Sequence, residues 1–237
     1  MPYIPSIPKR YADVLHYMAG YHPALFYPIA RRRREKTSGT FTDRDCDIVI
    51  EGYPRVGSTF AVEAFRHAQP GPVKIASHVH VPAQVMRGVR LGLPCLVLIR
   101  EPEACLRSLL VKHPFLRPRD ALRGYWLFYR WTLRYSHGFV AADFDEVVSD
   151  YGSVIDRVNA RFETRFTRFE HTEEAMRSVF DRLADIDKEA GQGPREAAGP
   201  TESKEQAKRA LDLTPHAREL ARCRKTYARL LRNAGVD

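Results

Sequence analysis

The sequence predicts an α/β protein, a three-layer sandwich with helices on both faces of a central parallel sheet. Three observations carry this. A β-branched apolar run, Ile48-Val49-Ile50, leads into a turn-rich segment at 52–58 and then into a helical pattern with Ala61, Phe65 and Ala68 on one face. Further on, a strand at 73–77, a helix at Pro82–Leu91 and a fully apolar strand at Cys95–Ile99 make a βαβ unit. Such crossovers join parallel strands and are right-handed in ~98% of cases, which puts the ligand edge at the carboxyl ends of the strands. Finally, 237 residues with 44% hydrophobic and 28% charged side chains suit one folded domain with a substantial core rather than a disordered chain.

Taken in order, residues 1–46 form an N-terminal extension to a single domain that spans 1–237. Tyr11, Ala12, Leu15 and Met18 fit one short amphipathic helix, and Pro23 and Pro28 break the pattern. The run Arg31-Arg32-Arg33-Arg34 reads as a solvated face, or as an approach to an anionic acceptor or membrane. In the helix at 82–91, Val85 and Val89 point inward. The aromatic segment 119–136 places Leu122, Trp126, Tyr129 and Leu133 on one buried stripe, leaving its other rings to line an acceptor pocket. A fourth strand at 138–143 and a helix at Tyr151–Phe162 follow. The Gly/Pro-rich stretch 191–200 predicts a mobile loop over 190–205, leading into a basic helical segment with Lys204, Lys208 and Arg209. A terminal helix at 215–233 carries Leu220, Tyr227, Leu230 and Leu231 on one side.

The net charge of +9 favours an anionic partner: a polyphosphorylated small molecule, nucleic acid, an acidic polysaccharide or a lipid surface. Cys46, Cys95, Cys105 and Cys223 contain no C-x-x-C pair, so neither a zinc site nor a disulfide framework is suggested and reduced, cytosolic thiols are the simplest account. The start, MPYIPSIPKRY, lacks the apolar region of a signal peptide, and no apolar run approaches the ~18–20 residues of a membrane span. The expectation is a cytoplasmic protein without a transmembrane segment, compatible with peripheral membrane contact.

Chemistry concentrates at three strand ends. Gly52-Tyr-Pro-Arg-Val-Gly57-Ser58-Thr59 matches both glycines and the final hydroxyl of the P-loop template G-x-x-x-x-G-K-[ST], the basis for a P-loop NTPase-like fold, but Ser58 stands where the lysine belongs. Unpaired N–H groups and the positive dipole end of the following helix still bind an anion there, and Arg55 is the only cation inside the loop. After the second strand come His78 and His80, which strand periodicity would place on one face. At the third, Arg100 closes a buried strand before Pro102 opens a helix carrying Ser108. An arginine there either pairs with Glu101 or Glu103 or serves an anionic ligand.

Together these stretches resemble the sulfotransferases that use 3′-phosphoadenosine 5′-phosphosulfate (PAPS). Tyr53-Pro54-Arg55-Val56-Gly57-Ser58-Thr59-Phe60 is similar to the family's first signature, YPKSGTTW. Arg100 and Ser108 reproduce its second, an arginine closing a strand with a serine eight positions on. The resemblance covers roughly residues 46–170. It implies that Arg55 replaces the lysine that neutralises the departing 5′-phosphosulfate, and that the 56–59 segment (Val56, Gly57, Ser58, Thr59) cradles the 5′-phosphate. Phe60 would stack on adenine, and Arg100 and Ser108 would bind the 3′-phosphate. His80, with His78 next, would be the base that deprotonates a hydroxyl acceptor, and a neutral imidazole near pH 7 suits that task. In place of the family's C-terminal Arg-Lys-Gly clamp, Lys204 or Lys208 would reach the 3′-phosphate. The implied activity is sulfuryl transfer to a small-molecule, glycan or lipid hydroxyl, with PAPS as co-substrate and with neither metal nor nucleic acid. Two alternatives stand beside it. One is a P-loop kinase or NTPase with Asp143 as magnesium ligand; the other is a non-catalytic nucleotide- or polyanion-binding module.

Overall fold

The computed structural model describes residues 19–31, 39–189, 191 and 202–234. The expected helix around residues 11–18, the side chains of the four-arginine run and most of the 190–205 loop lie outside these residues.

Four parallel strands form the sheet: β1 (Ile48–Gly52), β2 (Ile75–Ala76), β3 (Cys95–Ile99) and β4 (Val140–Asp143), in the order β2-β1-β3-β4. β1 pairs with β3 through Val49↔Cys95 to Gly52↔Leu98, and β3 with β4 through Leu96↔Val140 to Ile99↔Asp143. Every residue of β1 and β3 is buried, as a central parallel strand covered on both faces requires. The order places β1 and β3 side by side, so Gly52 and Arg100 leave the same edge of the sheet.

The helices are α1 (Pro23–Arg31), α2 (Ser58–Ala68), α3 (Pro82–Leu91), α4 (Pro102–Lys112), α5 (Pro118–Thr132), α6 (Phe144–Ser149), α7 (Tyr151–Phe162), α8 (Glu173–Glu189), α9 (Glu202–Ala210) and α10 (Ala217–Ala234). They pack in two sets: α2 against α8 and α6, with α6 on α7; and α3, α4 and α10 on α5, with α9 on α4 and α1 on α3. This is the expected α/β architecture of a parallel sheet flanked by helices.

Three local expectations shift. The second strand is shorter than 73–77: Ser77 leaves the ladder to bridge Thr40 in antiparallel fashion, with Ser77 N–H on Thr40 O at 3.1 Å and Thr40 N–H on Ser77 O at 3.0 Å. The buried face of α5 is Ala121, Leu122, Tyr125, Phe128, Tyr129 and Thr132, one step round from the predicted stripe. Trp126 instead lies half-buried beneath two guanidinium groups, Arg222 at 3.3 Å and Arg130 at 4.7 Å from the ring centre. Nor do Pro23 and Pro28 break the N-terminal extension: α1 starts at Pro23 and runs on through Pro28 to Arg31. Phe26, Tyr27 and Ala30 of α1 pack on Val79, Val81 and Ala83, beside the histidine segment. Buried Gln84 fastens this region, accepting from the Tyr27 hydroxyl at 2.7 Å and the Thr42 N–H at 2.9 Å and donating to Thr40 O at 2.9 Å.

Candidate active site

The loop between β1 and α2 is held from below by aromatic hydroxyls. Tyr53 N–H donates to Tyr129 Oη at 3.2 Å, Tyr129 O–H donates to Leu98 O at 2.7 Å, and Tyr53 O–H donates to Ala121 O at 2.9 Å. Gly52 has no room for a side chain, since a Cβ would sit 2.6 Å from Leu98 O. Gly57 has φ of 84°, a left-handed conformation open to glycine at little cost, and it starts α2. Val56 and Phe60 are buried, so Val56 can serve a ligand only through its backbone. Ser58 is buried and Thr59 half-buried in the first turn of α2, which holds no acidic residue to compete with an anion. Phe60 sits in an aromatic cluster with Phe169, His171 and Phe180, whose ring centres lie 6.1 to 6.4 Å from its own.

The two arginines meet on this loop. Arg55, at φ of 74°, donates from Nε to Ser108 Oγ at 3.1 Å, and Arg100 Nη1 donates to Arg55 O at 3.1 Å. Neither glutamate expected to compete for Arg100 pairs with it. Glu101 caps α4 by accepting the Ala104 N–H at 2.7 Å, and Glu103 binds Arg107 at 2.7 Å and Arg224 at 2.7 Å. The Arg100 guanidinium instead lies 3.8 Å from the ring centre of Phe144. Burial and the neighbouring Arg100 charge lower the Arg55 pKa, as expected of cations gathered without an equal number of carboxylates.

Lys204 on α9 joins them. It is buried, and burial together with the charge of Arg55 depresses its ammonium, while Asp187 partly compensates. Arg107 anchors α9 by donating from Nη1 to Lys208 O at 2.6 Å and to Leu211 O, satisfying carbonyls at that helix's C-terminal end. Between α4 and α9 opens a pocket of about 400 Å³ lined by Arg100, Ala104, Arg107, Glu205, Lys208 and Arg209. Its lining carries more cations than carboxylates, with Arg107 paired to Glu103 and Lys208 to Glu205.

The histidines stand at the same sheet edge, but not on a strand face. His78 and His80 both adopt left-handed backbone conformations, φ of 62° and 56°, because the chain has already left the ladder at Ser77. Their rings nevertheless come within 6.1 Å. His80 Nδ1 lies 2.8 Å from Gly52 O. A carbonyl only accepts, so Nδ1 carries the proton and the neutral ring keeps its lone pair on Nε2. His78 Nδ1 lies 3.0 Å from Ser77 Oγ, which leaves its tautomer open. Burial, then the neighbouring His80, lowers the His78 pKa to about 4; burial also lowers that of His80, with Arg55 and Lys112 acting the same way and the Gly52 bond opposing.

Behind His80 is a buried carboxyl that belongs to none of the expected motifs. Glu51, fully buried in β1, accepts the His80 backbone N–H on Oε2 at 2.7 Å, and its Oε1 is 3.8 Å from His80 Nδ1. Oε1 has no hydrogen-bond partner among the described residues, and burial pushes the carboxyl up to about 8. The signal was available: a carboxylate in an otherwise apolar central strand, one residue before the loop, demands a partner.

Asp143, at the end of β4, has one buried oxygen unpartnered among the described residues, and burial raises its pKa although the Tyr227 hydroxyl bonds to it. Among the described residues no group of three or more His, Cys, Asp or Glu side chains is placed to hold a metal ion, and no helix is long and apolar enough to cross a membrane. The four cysteines are free and buried.

No protein-family model matches the chain, and neither does any curated protein. Among solved structures, the chain is similar to a mouse sulfotransferase, SULT7A1, complexed with PAP. The TM-score is 0.44 with 10% identity, over 83% of this chain and 88% of that one. At that identity and TM-score the likeness assigns neither family nor activity to this chain.

Proposed function

We propose that the protein is a PAPS-dependent sulfotransferase acting on a hydroxyl acceptor. The observation that carries the reading is the junction of Arg55, Arg100 and Ser108 beside an imidazole whose free nitrogen is Nε2. Two anion positions follow: the first turn of α2 with Arg55 for a 5′-phosphosulfate, and Arg100 with Ser108, Lys204 and the cationic pocket for a 3′-phosphate. The loop carries Ser58 where a kinase or NTPase needs the lysine that holds the β- and γ-phosphates of a linear triphosphate. Asp143, raised in pKa and bonded to Tyr227, is poorly prepared as a magnesium ligand.

In the transfer, His80 Nε2 takes the acceptor's hydroxyl proton as the oxygen forms a bond to sulfur. The bond from sulfur to the phosphate oxygen breaks, its electron pair stays with adenosine 3′,5′-bisphosphate, and Arg55 with the α2 N–H groups stabilises the charge that gathers there. Position and electrostatics supply the catalysis, as in phosphoryl transfer. His80 is the better base than His78, because the Gly52 bond holds its proton on Nδ1 and leaves Nε2 to accept, whereas the His78 tautomer is open.

Calorimetry with adenosine 3′,5′-bisphosphate and 5′-AMP tests the donor site, and incubation with labelled PAPS and a cell extract, read by mass spectrometry, tests transfer. Preferential binding of the bisphosphate with a new sulfated product is expected. Equal binding of 5′-AMP, or indifference to Arg100→Ala, would sink the reading; binding without transfer would make the protein a nucleotide-binding module.

A further inference from the structure

The His78–His80 segment is an irregular turn of two left-handed residues, yet it must hold an imidazole nitrogen to within a fraction of an ångström of a reacting hydroxyl. Something has to over-determine it. From above, the Thr40–Ser77 bridge fixes the chain where it leaves β2. From below, Glu51 reaches the turn's backbone from the sheet core through the 2.7 Å bond to the His80 N–H, and the next residue, Gly52, takes the His80 Nδ1–H at 2.8 Å. Two consecutive residues of β1 therefore grip His80 at both its main-chain and side-chain nitrogens.

We propose that Glu51 is a positioning residue that sets the orientation and tautomer of His80 by accepting its backbone N–H, and that it works as a hydrogen-bond acceptor rather than as a countercharge. The geometry favours the acceptor role, because Oε1 stands at 3.8 Å from Nδ1, beyond hydrogen-bond distance, while Nδ1–H is already spent on Gly52. Complete burial and the absence of a cationic side chain closer than His80 among the described residues support it further, as does the raised pKa. The carboxyl reaches the reaction only through His80.

The assignment of His80 as base rests on the proposed function, and the test separates the two. Glu51→Gln keeps an acceptor at full reach in a group that cannot ionise; Glu51→Asp keeps an ionisable carboxyl but withdraws it by one methylene, ~1.5 Å. With the full-length protein, kcat for sulfuryl transfer is expected to fall about a hundredfold in Glu51→Asp and to recover to within about threefold of wild type in Glu51→Gln. KM for PAPS should stay within about twofold in both. The reverse order, with Asp active and Gln impaired, would overturn the acceptor role in favour of charge, and equal activity in both would overturn positioning. Independently of any reaction, ¹⁵N–¹H multiple-bond spectra of the free protein report the His80 tautomer. A single Nδ1–H form is expected in wild type and Glu51→Gln, with mixed nitrogen shifts in Glu51→Asp; an unchanged Nδ1–H form in Glu51→Asp would overturn the proposal. A wild-type protein that transfers nothing but shows this spectral pattern would refute the sulfotransferase reading and leave the Glu51 assignment standing.

Discussion

Glu51 ties the stability of this fold to pH in the opposite sense to most carboxylates. Its pKa moves from the ordinary 4.5 up to about 8, chiefly through burial. The folded chain therefore keeps a proton that the unfolded chain has released at neutral pH. The stability contributed is fully present below pH 4.5 and drains away as pH rises toward 8, at up to about 1.4 kcal/mol per pH unit. Between pH 6.5 and 8 the loss comes to roughly 1.5–2 kcal/mol. Comparison with a variant that differs only at Glu51 isolates the effect, because the other titrating groups are common to both proteins. His78 and His80, with lowered pKa values, are neutral in the fold, unfolded histidines are mostly neutral above ~6.5, and burial keeps the nearby Tyr27 phenol protonated. Glu51→Gln copies the shape of the protonated acid and does not titrate. Urea unfolding at pH 6.5, 7.25 and 8 should show the wild type losing stability that the variant does not lose, with the difference widening by that amount at constant m-value. Parallel pH dependences in the two proteins would refute the reasoning, and a wild type that gains relative stability with pH would mean the fold holds an ionised carboxylate.

Four further outcomes follow from the site. Arg100→Ala should weaken adenosine 3′,5′-bisphosphate binding about 10- to 100-fold by calorimetry while leaving 5′-AMP nearly untouched, the loss of one or two charge-assisted hydrogen bonds. Arg55→Ala should lower kcat about 10²- to 10³-fold, with a smaller effect on KM for PAPS, because its main partner is charge that develops during transfer. The rate should stay level as pH falls from 8 through 6.5 and drop only below, since the lowered His80 pKa moves the acid limb under that of an ordinary histidine. Steady-state rates across pH 5 to 8 would show this, and an acid limb above 6.5 would contradict it. Gly57→Ala should cost about 1–3 kcal/mol in thermal unfolding, because it forces φ of 84° on a side chain whose Cβ would stand 3.0 Å from Phe144.

What could be read in the sequence divides along a physical line. The β3 and α3 bounds, Cys95–Ile99 and Pro82–Leu91, were legible because unbroken apolar runs and prolines at a helix start are local signals. So was the loop, whose glycines answer to backbone sterics within a few residues. The face of α5 was not, since Tyr125 and Trp126 are equally apolar by pattern. What decides between them is the space under Tyr53, which the Tyr125 ring fills at 5.5 Å, and the arrival of Arg222 from α10 to cover Trp126. The helix α8 went unread, and with it the Phe180 wall of the aromatic cluster around Phe60. The histidines show the limit most sharply. Their place at the sheet edge was legible from the strand before them, whereas their left-handed turn depends on Thr40, which lies outside the strand pattern, and on Glu51, which lies inside it. Glu51 is the one residue where local pattern and tertiary demand openly conflict, a carboxyl in a strand otherwise built for a dry core. A conflict of that kind persists only where a neighbour needs the group, and the neighbour that takes its hydrogen bond is His80.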